Sequence, residues 1–245
     1  MHIQHVGIIG AGVMGAQIAQ VVAQGGHIVH LFDISASQLE TALHRIQHGR
    51  FGLRRGVARG KITEQDLHAT LERIIPVTAI EAVCADADLI IEAVPEEIML
   101  KIRVFRRLDA LCPEQTILTS NTSGLSVGAL AAATDRPERV LGWHWFQPCA
   151  VMKLAEIVVH DETSDEARDA VVACAERSGR TVVVVKDQQR VWGFVGNRIN
   201  RAVRIEAARI VEEGLATREQ VDTIMREGFR WPMGPFELQG DGSLS

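Results

Sequence analysis

His5-Val6-Gly7-Ile8-Ile9-Gly10-Ala11-Gly12-Val13-Met14-Gly15, followed eighteen residues later by Asp33, decides the fold. Residues 5–9 are a short apolar run ended by glycine, the pattern of a buried strand. Gly15 to Gln24 places Ile18, Val21 and Val22 on one side of a helix, and Gly25-Gly26 stops it. His27 to Phe32 reads as a second strand closed by Asp33. Alone, G-x-G-x-x-G is a weak signal. Between a strand and a helix, with an acidic residue ending the next strand, it is the fingerprint of a dinucleotide-binding βαβ unit.

Each part has its own physical reason. Gly10 permits the tight turn, Gly12 lets the backbone of the loop through Ala11, Val13 and Met14 approach a pyrophosphate, and Gly15 lets helix and strand pack closely. The helix start presents N–H groups to negative charge. A carboxylate at Asp33 suits the ribose hydroxyls and repels a 2′-phosphate, so the expected cofactor is NAD rather than NADP.

Further strands are expected at 74–77, 89–93, 116–119, 140–144, 153–159 and 181–185. A helical stretch covers 37–59, Thr63 caps a short helix to about Arg73, and helices are expected near 97–111, 126–132 and 164–178. This alternation predicts an α/β fold with a Rossmann-type, doubly wound, mostly parallel sheet. After Asp187 the pattern changes to two helices, 193–213 and 217–227. A boundary near Gln189 divides an NAD-binding domain, 1–189, from a smaller all-helical domain, 190–245.

Composition excludes several classes. The 245 residues carry 26 basic and 31 acidic side chains, a net charge of −5 that argues against nucleic acid as the main partner. Cys84, Cys112, Cys149 and Cys174 show no C-x-x-C spacing, so neither a zinc site nor a disulfide framework is expected, and reduced thiols suit the cytoplasm. No metal is expected. No signal peptide is visible at residues 1–5, and no apolar run reaches the ~20 residues of a membrane span. Tyrosine is absent, which excludes a dehydrogenase mechanism built on a tyrosine acid.

Four local motifs could carry chemistry. Ser120-Asn121-Thr122-Ser123 follows a strand end, where open α/β sheets bind ligands, although such a cluster is also an ordinary turn. Gly142-Trp143-His144-Trp145-Phe146-Gln147-Pro148 holds one imidazole, which is either a base or a satisfied core histidine. Met152-Lys153-Leu154-Ala155-Glu156 places a carboxylate twelve residues after His144, within reach if the two strands are adjacent, or else solvated. Gly193-Phe194-Val195-Gly196-Asn197-Arg198 opens the long helix, with Asn197 a ligand donor or a cap. Alcohol oxidation needs a base for the hydroxyl proton while hydride leaves carbon, and a histidine oriented by a carboxylate meets that need.

In order and spacing these motifs resemble the 3-hydroxyacyl-CoA dehydrogenases over nearly the whole chain. Glu92-Ala93-Val94-Pro95-Glu96 with Lys101, and Pro232-Met233-Gly234-Pro235-Phe236-Glu237, fit the same pattern. The resemblance implies oxidation of an L-3-hydroxyacyl-CoA to the 3-oxo thioester, or its reverse. It implies His144 as general base, Glu156 orienting it, and Ser123 and Asn197 bonding the substrate around the 3-hydroxyl. Glu96 and Lys101 would contact the nicotinamide end of NAD. A homodimer through the helical domain is implied as well. The arginines from Arg45 to Arg59, with Lys61, would bind CoA phosphates or form a solvated helix face.

The chain departs from the family at several points. Gln147 replaces the usual asparagine, the segment 187–193 is about three residues longer, and Gly49 and Gly56 stand where polar or basic residues usually touch CoA. Family members also continue for some tens of residues beyond Pro235-Phe236-Glu237-Leu238, so a shortened helical domain is expected. Two other functions compete with the first. One is a non-catalytic NAD-binding protein of this fold, and the other is a dehydrogenase of a non-CoA 3-hydroxy acid.

Overall fold

The computed structural model describes residues 1–187 and 191–239. Its strands are β1 (His5–Ile9), β2 (Ile28–Phe32), β3 (Ile74–Val77), β4 (Leu89–Glu92), β5 (Ile117–Ser120), β6 (Val140–Trp145), β7 (Leu154–Val159) and β8 (Thr181–Lys186). Between them run α1 (Val13–Gln24), α2 (Ala36–His48), α3 (Leu53–Ala58), α4 (Glu64–Glu72), α5 (Ile80–Cys84), α6 (Ile98–Leu111), α7 (Val127–Ala131) and α8 (Asp165–Arg177). Two helices follow, α9 (Val195–Glu212) and α10 (Arg218–Phe229).

The eight strands form one sheet in the order β3-β2-β1-β4-β5-β6-β7-β8. All pairings are parallel except β6 with β7. Central strands are buried on both faces, so they read as continuous apolar runs: Ile8, Leu89, Ile90 and Ile91 are all fully buried. The chain winds outward from β1 through β2 to β3, then returns to place β4 on the other side of β1. That reversal opens a crevice beyond the carboxyl ends of β1 and β4, where such sheets take their ligands.

The chain divides into two compact units, Met1–Val191 and Trp192–Ser245. The boundary expected near Gln189 lies outside the described residues. The helical stretch expected over 37–59 is two helices, because Gly49 leaves the helical region with ψ 172° and α3 restarts after Gly52. Helix α5, five residues long, is too short to show a period in the sequence. Thr63 caps α4 as expected, with Asp66 completing a capping box.

One buried pair makes stability depend on pH. His27 is 1% exposed, its Nδ1 lies 3.2 Å from the Ile3 carbonyl oxygen and its Nε2 lies 3.6 Å from Cys174 Sγ. Burial pushes the Cys174 thiol up to about 12, so it stays protonated and donates to Nε2. Burial first, then the nearby Arg177 charge, lowers the His27 pKa. The unfolded chain therefore takes up a proton near ~6.5 that the folded chain refuses, and stability falls as pH drops below that value. His30 is shifted in the same direction, so the informative quantity is a difference in slope. The urea midpoint should fall between pH 7.5 and 5.5, and fall less in His27→Gln; equal slopes would refute the assignment.

Candidate active site

The glycine turn sits between β1 and α1. Gly10 has φ +102°, and a Cβ there would lie 2.8 Å from the Ala93 carbonyl oxygen at the end of β4. A Cβ on Gly15 would lie 1.8 Å from the Gly10 carbonyl oxygen, so only glycine lets α1 start this close to β1. Gly12 is different: nothing lies within 4 Å of a Cβ built on it. Its backbone faces open space in which a ligand can come close.

Asp33 ties this turn to the end of β2. One carboxylate oxygen accepts from Ala11 N–H at 2.9 Å and the other from Ser35 N–H at 3.0 Å. Gly10, Gly12, Val13, Met14 and Asp33 line a cavity of about 1080 Å³, whose far wall comes from α5 and α6. The volume, the uncovered backbone at Gly12 and the carboxylate at the end of β2 fit a dinucleotide. Asp33→Ala removes the acceptor for two backbone donors as well as the carboxylate. NADH affinity should fall by about tenfold, while NADPH loses less. Fluorescence titration of both cofactors checks this, and equal losses would remove the ribose assignment.

Beyond the carboxyl end of β4 lies a buried ionic cluster. The Lys101 side chain is 1% exposed and that of Glu92 is 0% exposed. Lys101 Nζ donates to Glu92 Oε1 at 2.7 Å, to Oε2 at 2.9 Å and to the Val94 carbonyl at 3.3 Å, and lies 3.3 Å from Glu96 Oε2. Glu92 also accepts from Val94 N–H and Ser120 Oγ–H. Burial pushes the Glu92 carboxyl above its usual range, and Lys101 with these two donors opposes the shift.

Glu96 reaches the other way. Its Oε1 accepts from Thr122 Oγ–H at 2.6 Å and from Ser123 N–H at 2.8 Å. Thr122 Oγ1 in turn accepts from the N–H groups of Gly124 and Leu125. The Ser120–Ser123 segment is thus a turn, and one pinned on an ion cluster. Sequence reasoning assigned no role to Glu92. Its signal was a carboxylate ending an otherwise apolar strand at the point where the strand order reverses.

Strands β6 and β7 place His144 directly opposite Glu156. Side chains on a strand alternate between faces, so Trp143 and Trp145 enter the core while His144 faces the other way. His144 Nδ1 lies 2.9 Å from Glu156 Oε2, and both side chains are 4% exposed. A carboxylate can only accept, so Nδ1 carries the proton and the basic lone pair is on Nε2. Asn121 Oδ1 accepts from Trp145 N–H at 2.9 Å, which joins this pair to the Ser120–Ser123 turn. The following loop is held by Gln17 Oε1, which accepts from Cys149 N–H, and by Arg180, which donates to the carbonyls of Cys149 and Met152.

The first unit therefore brings together the glycine turn, Asp33, Glu96, Lys101, Ser123, His144 and Glu156 at one end of its sheet. Asn197 belongs to the second unit, in the first turn of α9. Among the described residues there is no cluster of three or more metal-ligating side chains, and no helix long and apolar enough to cross a membrane.

Two models of one family match consecutive parts of the chain. Residues 5–188 match the family described as 3-hydroxyacyl-CoA dehydrogenase, NAD binding domain, and residues 193–241 match its C-terminal domain. The chain is 43% identical over 238 residues to the 3-hydroxyadipyl-CoA dehydrogenase of Escherichia coli, covering 97% of this chain but 49% of that protein. It is 40% identical over 239 residues to a probable 3-hydroxybutyryl-CoA dehydrogenase of Bacillus subtilis, covering 97% of this chain and 80% of that one. A crystal structure of 3-hydroxybutyryl-CoA dehydrogenase from E. coli superposes with a TM-score of 0.91 at 43% identity, over 98% of this chain and 49% of the other. The chain thus spans about half the length of the E. coli relative. With two family domains in order and 40% identity over nearly its full length, this chain belongs to the 3-hydroxyacyl-CoA dehydrogenase family, and residues 5–188 are its NAD-binding domain.

Proposed function

We propose that the protein oxidises an L-3-hydroxyacyl-CoA to the 3-oxoacyl-CoA, or catalyses the reverse reduction. The observation that carries this reading is the buried 2.9 Å bond between His144 and Glu156, in the same unit as the dinucleotide turn. NAD, when bound, supplies the hydride acceptor. His144 Nε2 takes the proton from the 3-hydroxyl, and Glu156 holds the ring in the required tautomer and stabilises the imidazolium. Ser123 hydrogen-bonds the substrate oxygen, and Asn197, in the other unit, is assigned a substrate role by the family resemblance alone. Glu96, about one-third exposed, supplies the polar group at the nicotinamide end and also fixes the backbone of Ser123. Lys101, expected from the family resemblance to touch the cofactor, is buried and acts by holding Glu92 and Glu96 in place.

The acyl-CoA reading draws on a second feature of the first unit. Arg50, Arg55, Arg59 and Lys61 line a cavity of about 230 Å³ with no carboxylate in its wall. These cations offset the missing polar groups at Gly49 and Gly56 and suit CoA phosphates. Two copies pairing through the helical unit would cover Ile199, Ile205, Ile224 and Phe229, each more than half exposed. The cytoplasm is the compartment that keeps the four free thiols reduced.

The test is NADH oxidation driven by a chain-length series of 3-oxoacyl-CoA esters, with free acetoacetate in parallel. Turnover of an ester at a kcat/KM well above that of the free acid supports the proposal. NADH binding without turnover of any ester would refute it in favour of a non-catalytic role. Preference for the free acid would refute it in favour of a CoA-independent dehydrogenase.

A further inference from the structure

The cofactor cavity has three charged side chains in its lining, Asp33, Glu81 and Arg107. Asp33 is committed to the glycine turn. Glu81 and Arg107 belong neither to that turn nor to the His144–Glu156 pair. Leu100, Val104 and Arg107 recur at helical spacing on α6, so one face of that helix gives the cavity an apolar wall that ends in a cation. Ile34, 89% exposed on the loop after β2, lines the same cavity. Branched aliphatic side chains from two elements suit a flat aromatic ring, and an exposed isoleucine gains from being covered by one.

Arg107 Nη2 lies 2.7 Å from Glu81 Oε1, and the two side chains are 60% and 58% exposed. An ion pair this exposed contributes little to folding. Its own backbone N–H and the Arg107 guanidinium hold the Glu81 carboxyl below the usual range, so it is an acceptor at neutral pH. The pair thus presents a carboxylate acceptor beside a guanidinium with N–H donors to spare. That order of groups complements a purine edge on which an amino donor sits beside a ring-nitrogen acceptor.

We propose that Glu81 and Arg107 together read the amino edge of the adenine ring, Glu81 accepting from the 6-amino group and Arg107 donating to the neighbouring ring nitrogen. The assignment rests on the NAD reading of the cavity. Hypoxanthine carries a carbonyl oxygen in place of the amino group, so it sets an acceptor against the carboxylate. A site with placed polar groups rejects such a mismatch more strongly than an apolar slot does.

The test compares NADH, reduced nicotinamide hypoxanthine dinucleotide and reduced nicotinamide mononucleotide, each titrated by fluorescence. The unaltered protein should bind NADH about threefold to tenfold more tightly than the hypoxanthine analogue. Glu81→Ala and Arg107→Ala should each abolish most of that preference, and Arg107→Lys should keep part of it. The mononucleotide, which has no purine, should bind all variants equally. Equal affinities for the two dinucleotides in the unaltered protein would overturn the proposal, as would a full preference in Glu81→Ala. If NADH does not bind the unaltered protein, the cofactor reading falls and this assignment with it.

Discussion

Lys101→Met should cost about 3–5 kcal/mol of folding stability, a large share of the 5–15 kcal/mol typical of a domain. The lysine stem is apolar and methionine fills most of its volume, so the loss is chiefly electrostatic. Glu92 would be left fully buried without its cation, retaining only the Val94 N–H and Ser120 Oγ–H donors. A buried carboxyl without a counter-charge takes up a proton, so its folded pKa rises further above the unfolded value. The sign follows from linkage: the variant should regain stability as pH falls through that raised pKa and lose it as pH rises. Urea unfolding at pH 5 and pH 7.5 measures this. The double variant Glu92→Gln/Lys101→Met should recover most of the loss, because replacing both partners of a buried pair is often neutral. A loss below about 1 kcal/mol in Lys101→Met would mean that the cluster is solvated or idle.

His144→Gln should lower kcat by about 10²–10⁴ while leaving NADH affinity within a factor of about two. An amide can keep a hydrogen bond to Glu156, so the strand pair and its burial survive, but it cannot accept a proton at neutral pH. The loss therefore falls on the chemical step. Stopped-flow NADH oxidation with acetoacetyl-CoA separates it from binding. Wild-type kcat in the variant would remove His144 as the base. Glu156→Gln should also lower kcat by about 10²–10⁴, since the amide can donate to Nδ1 and hold the ring in the wrong tautomer.

Much of this was legible in the sequence, because the informative signals are local. The spacing of Gly10, Gly12 and Gly15 encodes contacts made within one turn, and the 1.8 Å approach at Gly15 shows how little choice of residue there is. The alternation of apolar runs and amphipathic stretches foretold all eight strands for the same reason. The direction of β7 was harder to read, since a strand pattern carries no arrow. One signal was present: only eight residues link Trp145 to Leu154, too few for the crossover a parallel neighbour requires. Glu92 stands in the Glu92–Glu96 motif, but nothing local in the sequence reveals its role. Its partners, Lys101 on α6 and Ser120 on β5, come from separate elements, and only the assembled sheet end shows that they neutralise one another.

The cross-strand position of His144 and Glu156 also determines where this region can tolerate a change in chain length. The pairing relates residues 144 and 156 through a ladder of alternating faces. An insertion in the loop 146–153 disturbs the Gln17 and Arg180 anchors at Cys149 and Met152 but can leave the ladder intact. One residue added inside either strand would turn the histidine or the carboxylate to the opposite face of the sheet. A slip of two residues would keep the face but set His144 against Leu154 or Val158, neither of which can orient an imidazole. Insertions scanned along residues 140–159 should therefore divide sharply into a permissive interval and two forbidden ones, with the edges set by the hairpin and not by distance from any ligand.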